Sequence, residues 1–80
     1  MDINIVYDEM VEKLKASNNQ NVLEELEKSD AGASTGSEAL SMTGFYLSSL
    51  KRNNPSIYEL LKEQIKEYLK YCQKNGIIIS

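Results

Sequence analysis

The chain of 80 residues has no histidine and no tryptophan, and only one cysteine, one proline and one phenylalanine. Without histidine it lacks the usual general base at neutral pH and the commonest transition-metal ligand. A lone cysteine, Cys72, cannot close an internal disulfide or build a Cys₄ zinc site. No apolar run approaches the ~18 residues a membrane-spanning helix requires, so no membrane partner is expected. The chain opens on Met1-Asp2 and carries acids early, unlike a secretory leader. The expectation is a cytoplasmic protein.

Apolar residues make up 41% and charged residues 26%, which describes one domain over residues 1–80. At this size the core is thin, with a net stability of about 5 kcal/mol. The formal charge of −3 divides unevenly. Residues 1–38 hold nine acids and three bases, a net of −6; residues 39–80 hold three acids and six bases, a net of +3. Either the halves attract each other within one fold, or the acidic half docks a basic partner. The acidic balance speaks against nucleic acid as a partner.

Periodicity predicts an all-α fold, a small antiparallel bundle of three to four helices. The first helix runs from about Asp2 or Asn4 to Lys15. Ile3, Val6, Tyr7, Met10, Val11 and Leu14 share one face and Asp8, Glu9 and Glu12 the other. Ile5 fits neither. The alternative is a short strand, Ile3, Ile5 and Tyr7 alternating, paired with Ile77-Ile78-Ile79. Asn21 is read as the cap of a second helix, Val22 to about Lys28, with Val22, Leu23 and Leu26 inward and Glu24, Glu25 and Glu27 outward. Residues 29–37, small and polar, read as a loop.

The third helix starts at a capping box, Thr35-Gly36-Ser37-Glu38, and runs to about Arg52. Leu40, Thr43, Leu47 and Leu50 form one stripe; Met42, Phe45 and Ser49 form another roughly opposite. Ser37, Ser41, Gly44 and Ser48 make a line of small residues between them. From Ala39 to Leu50 there is no charge at all, the pattern of a helix that is buried, central or reserved for a partner. Asn54 caps a fourth helix with Pro55 at its first position, and Asn75-Gly76 ends it. Its apolar half carries Ile57, Leu61, Ile65, Tyr68 and Cys72. Its polar half alternates Glu59–Lys62, Glu63–Lys66 and Glu67–Lys70. Ile77-Ile78-Ile79 is expected to fold back on the core.

No catalytic, cofactor or metal constellation emerges. Cys72 lies on an apolar face with no histidine to activate it. The acids lack the ordered spacing of a calcium loop, and Gly32 and Gly36 lack a phosphate-binding fingerprint. Lys62, Lys66, Lys70 and Lys74 align as a ridge, but interleaved glutamates make it a solvated face. Ser37, at a helix start halfway along a small acidic chain, has the outline of a carrier serine, yet Gly36-Ser37-Glu38 replaces the Asp-Ser-Leu of acyl carriers.

The run Ala33-Ser34-Thr35-Gly36-Ser37-Glu38-Ala39-Leu40, followed by a helix and by Asn54-Pro55 opening another, resembles small acidic helical immunity proteins of bacterial toxin systems. The resemblance covers the second half of the chain. It implies neutralisation of a cognate toxin by occlusion, without catalysis. The expected function is a non-catalytic protein-binding module. Its contact residues are expected to be Asp8, Glu9, Glu12, Glu24, Glu25 and Glu27 toward a basic toxin or enzyme domain, with Met42 and Phe45 as the apolar part. The alternatives are a homo-oligomeric assembly subunit, a homodimer pairing through the third helix, and a carrier modified at Ser37.

Overall fold

The computed structural model describes residues 2–32 and 35–79. Four helices account for almost all of them: α1 (Ile3–Ala16), α2 (Gln20–Ala31), α3 (Gly36–Asn53) and α4 (Pro55–Lys74). The helices pack as a ring. Each touches the one before and the one after, and α1 closes on α4, whereas the backbones of the diagonal pairs do not meet. All four neighbouring pairs are antiparallel. The charges of Glu27 and Asp30 reach Tyr7 at the start of α1. A Cβ on Gly32 would lie 3.7 Å from Met42 Cε near the start of α3. The Cys72 thiol, late in α4, points at the Leu40 carbonyl early in α3, 3.8 Å away. Lys13, late in α1, reaches Leu60 and Gln64 in the first half of α4.

The amphipathic stripes supply the core. Val6, Met10 and Leu14 of α1 are buried, as are Val22, Leu23 and Leu26 of α2, Leu47 and Leu50 of α3, and Ile57, Leu61, Ile65, Tyr68 and Cys72 of α4. Ile5, the misfit of the first helix, is 59% exposed. Ile3, Ile5 and Tyr7 all lie in α1, so the strand pairing with Ile77–Ile79 does not form. Helix suits them better because the α-period brings Ile3, Val6, Tyr7 and Met10 to one inward face, which a strand would divide between two.

The second helix differs from its sequence reading at both ends. It begins at Gln20, so Asn21 lies inside it, exposed. Asn19 holds the cap position without a side-chain bond to the helix, because its amide is turned back to Ser17 Oγ at 2.6 Å. Asn19 is instead committed to closing α1. Its N–H donates to Leu14 O (2.9 Å) and the N–H of Asn18 donates to Lys15 O (3.1 Å). With Asn18 at φ 60° these two bonds make a Schellman close. At the other end α2 continues through Ser29, Asp30 and Ala31, which the loop reading placed outside it. Ser29 Oγ donates to Glu25 O within the helix, and nothing stops the chain before Gly32, whose N–H donates to Lys28 O. Of the expected loop 29–37, Ala33 and Ser34 lie outside the described residues, as they do in the run that carries the immunity-protein resemblance.

The third helix starts as the capping box requires: Glu38 N–H donates to Thr35 Oγ1 at 3.1 Å. A single residue, Asn54, joins α3 to α4. Its N–H donates to Leu50 O and its carbonyl accepts from Tyr58 N–H, so it closes one helix and opens the next with backbone alone. The expected side-chain cap from Asn54 is not made, and Pro55, which needs no amide partner, takes the first turn. α4 ends in a second Schellman close, Ile77 N–H to Cys72 O (2.8 Å) and Gly76 N–H to Gln73 O (3.3 Å), around Gly76 at φ 69°.

The tail Ile77–Ile79 then folds back as coil. Ile77 and Ile79 pack on the core and Ile78 points out, 78% exposed. The small-residue line of α3 is the seat. A Cβ on Gly44 would stand 2.7 Å from Ile79 Cδ1, and Ser41 Oγ donates to the Ile78 carbonyl. The close approach, rather than the backbone angles, favours glycine at residue 44, since a Cβ there would force the Ile79 side chain to shift.

Candidate functional site

α2 has three faces. Val22, Leu23 and Leu26 point to the core. One flank turns to α3: Glu25 Oε1 accepts from the Tyr46 hydroxyl at 2.9 Å, and Ser29 lines a shallow groove with Met42 and Phe45. The other flank turns to α1, where the charges of Asp30 and Glu27, together with that of Asp8, act on the Tyr7 hydroxyl. Burial raises the Tyr7 pKa first, and the charges of Asp30, Glu27 and Asp8 raise it further, because a phenolate there would face three carboxylates.

All six acids singled out in the sequence, Asp8, Glu9, Glu12, Glu24, Glu25 and Glu27, are exposed. The structure does not gather them into one patch. Asp8 and Glu27 meet at the α1–α2 junction, where Asp30, absent from the sequence-derived set, joins them. Glu25 belongs to the α2–α3 junction. Glu9 and Glu12 are on the outer side of α1, which does not touch α3, and so stand apart from Met42 and Phe45. Asp30 was missed because it was placed in a loop; its position three residues after Glu27 on one continuing helix is the signal that would have found it.

Met42 and Phe45 are exposed by 38% and 53%, on the side of α3 opposite Thr43, Leu47 and Leu50. Phe45 rims two shallow grooves. One, of about 300 Å³, lies between α2 and α3; the other, of about 420 Å³, follows α3 toward Lys51 and Arg52. Tyr46, next to Phe45, is half-buried, and burial together with the Glu25 bond holds its pKa above the ordinary value.

The groups with chemical potential are otherwise occupied by the fold. Cys72 is fully buried and burial pushes its thiol pKa up, which disfavours the thiolate. Tyr68 is buried and its pKa is pushed up to about 12 by desolvation. The nearby Thr43 hydroxyl slightly opposes that rise, yet Thr43 Oγ1 makes no hydrogen bond of ordinary geometry although it is fully buried. Gln64, not anticipated as a core residue, is buried with Oε1 accepting from Lys13 Nζ at 3.0 Å. Its place one turn from Leu61 and from Tyr68 marks it as inward. Ser37 is exposed in the first turn of α3, and Lys62, Lys66, Lys70 and Lys74 are exposed with their interleaved glutamates. Among the described residues no three histidine, cysteine or acidic side chains converge as metal ligands, and no helix is long and apolar enough to cross a membrane.

Comparison with protein-family models, with curated proteins and with solved structures returns no match for this chain.

Proposed function

We propose that the protein is a non-catalytic binding module that associates stoichiometrically with a basic protein surface, in the manner of an immunity-type inhibitor of a toxin or enzyme domain. The observation that carries this reading is the placement of three exposed carboxylates, Asp8, Glu27 and Asp30, about half-buried Tyr7 at the α1–α2 junction. Glu24 adds an exposed carboxylate on α2, while Glu9 and Glu12 add charge on the outer side of α1, apart from the junction. An acidic excess on two adjacent helices, in which Lys13, Lys15 and Lys28 are outnumbered, accelerates encounter with an opposite charge and holds orientation. Tyr7, half-buried among these acids, offers an aromatic anchor of the kind that dominates interface energies.

The test is capture from the native host, followed by reconstitution with the purified captured protein. A 1:1 complex is expected, with an association rate that falls as salt rises. The triple variant Asp8→Asn, Glu27→Gln, Asp30→Asn should slow association by about tenfold with little change in helix content. A captured protein that binds with the same rate at every salt concentration, and equally well to the triple variant, overturns the reading. So does the recovery of no stoichiometric partner.

A further inference from the structure

The outer face of α3 is separate from that acidic junction and has an internal symmetry of its own. Residues at spacings of four and three share one side of a helix. On α3 this places Glu38, Met42, Phe45, Ser49 and Arg52 along a single seam, all exposed except Ser49, which is half-buried. Ser41 and Ser48 flank it. The seam begins with an acid, ends with a base, and carries no charge between them. Glu38 and Arg52 are each seven residues from Phe45, about 10 Å along the axis. Met42 and Ser48 are each three residues away on either side.

We propose that this face is a self-association surface, on which α3 of a second copy docks antiparallel across a two-fold axis beside Phe45. That register sets Phe45 against Phe45 of the second copy, Met42 against Ser48, and Glu38 against Arg52, each pair occurring twice. A closed two-fold contact must be self-complementary, and the opposite charges at equal distance from Phe45 meet that condition. A parallel pairing would instead put Glu38 on Glu38 and Arg52 on Arg52. Serines at residues 48 and 49 keep the seam low, so that the axes approach and Phe45 of each copy enters the groove lined by Ser48, Ser49, Lys51 and Arg52 of the other. A carboxylate accepts several hydrogen bonds, so Glu38 serves its own helix start and the second copy together. One helix packed on one helix is below the area of a stable dimer, so association is weak and depends on concentration. This pairing leaves the α1–α2 acids uncovered and is independent of the function proposed above.

Sedimentation of the full chain up to millimolar concentration tests this. The apparent mass should rise from 9.1 kDa toward twice that value, less steeply at high salt. Phe45→Asp should weaken association by at least about tenfold while helix content is unchanged, since Phe45 lies outside the core. Arg52→Glu should also weaken it, and adding Glu38→Lys to that variant should restore it. A monomer at every concentration overturns the proposal. So does a dimer indifferent to Phe45→Asp, or a charge reversal that the second substitution fails to rescue. A Phe45→Asp variant that abolishes binding of the captured partner of the α1–α2 face, with no self-association in the parent chain, assigns the seam to that partner and also overturns it.

Discussion

Along α3 two faces share the same lack of charge and differ in what they meet. Thr43, Leu47 and Leu50 are enclosed within the ring of helices, where each methylene lost leaves a void. Met42 and Phe45, as apolar by composition, stand in solvent beside shallow grooves. Apolarity on a helix therefore does not assign its burial. In a ring of four helices each member has two neighbours and no diagonal contact, so among the described residues no further helix is left to cover an apolar outer face.

The largest effect that would sharpen this contrast comes from truncating the inner face. Leu47→Ala should cost ~2–5 kcal/mol of the thin stability, read as a lower urea midpoint. Next comes pH. Tyr68 has its pKa at about 12 in the fold against 10.0 in the free residue. A raised tyrosine pKa means the folded chain keeps a proton that the unfolded chain has lost. Stability is thus intact below pH 10 and falls as pH rises toward about 12, by up to about 1.4 kcal/mol per unit. Tyr68→Phe should remove its share of that limb and leave the contributions of Tyr7 and Tyr46, which are shifted the same way.

Thr43→Val should be smaller and of opposite sign, a gain of about 1 kcal/mol, because it replaces a buried hydroxyl that makes no bond with a group of the same shape. If Thr43→Val destabilises, the Thr43 hydroxyl is a true partner of Tyr68 and the inner face is more polar than described. The smallest effect belongs to the outer face. Phe45→Ser should change the monomer's unfolding free energy by no more than about 0.5 kcal/mol, measured at concentrations too low for association. A loss comparable to that of Leu47→Ala would erase the contrast.

Four helices, their inward residues and the Thr35 start were legible in the sequence because each follows from local periodicity or capping chemistry. The ends of α2 were not. Asn21 looked like a cap and Ser29-Asp30 like a loop, but capping signals compete. Asn19 is used to close α1, and Ser29 satisfies its hydroxyl inside the helix. The seat of the tail was half visible. The line Ser41, Gly44 and Ser48 was apparent, and so was a tail needing cover, but only tertiary packing joins Ile79 to Gly44 across 35 positions (79 minus 44). Of the candidate site, the outward side of the acids was readable from their helical wheels, whereas Met42 and Phe45 fitted a buried, central or partner-facing helix equally well. Which of these residues are neighbours was not readable, since a wheel gives the direction of a side chain from its own helix but not which helix stands beside it. Glu25 and Glu27, two residues apart, serve opposite junctions for this reason.

The ring has a kinetic corollary. Three of its four packed pairs join helices that follow one another in the chain, and the turn between α3 and α4 is one residue long. Little chain entropy is spent before those hairpins reward it; only the closure of α1 on α4 spans the whole length. Refolding is therefore expected within microseconds to milliseconds, with the α1–α4 seam, where Lys13 reaches Gln64, the last to acquire protection from exchange.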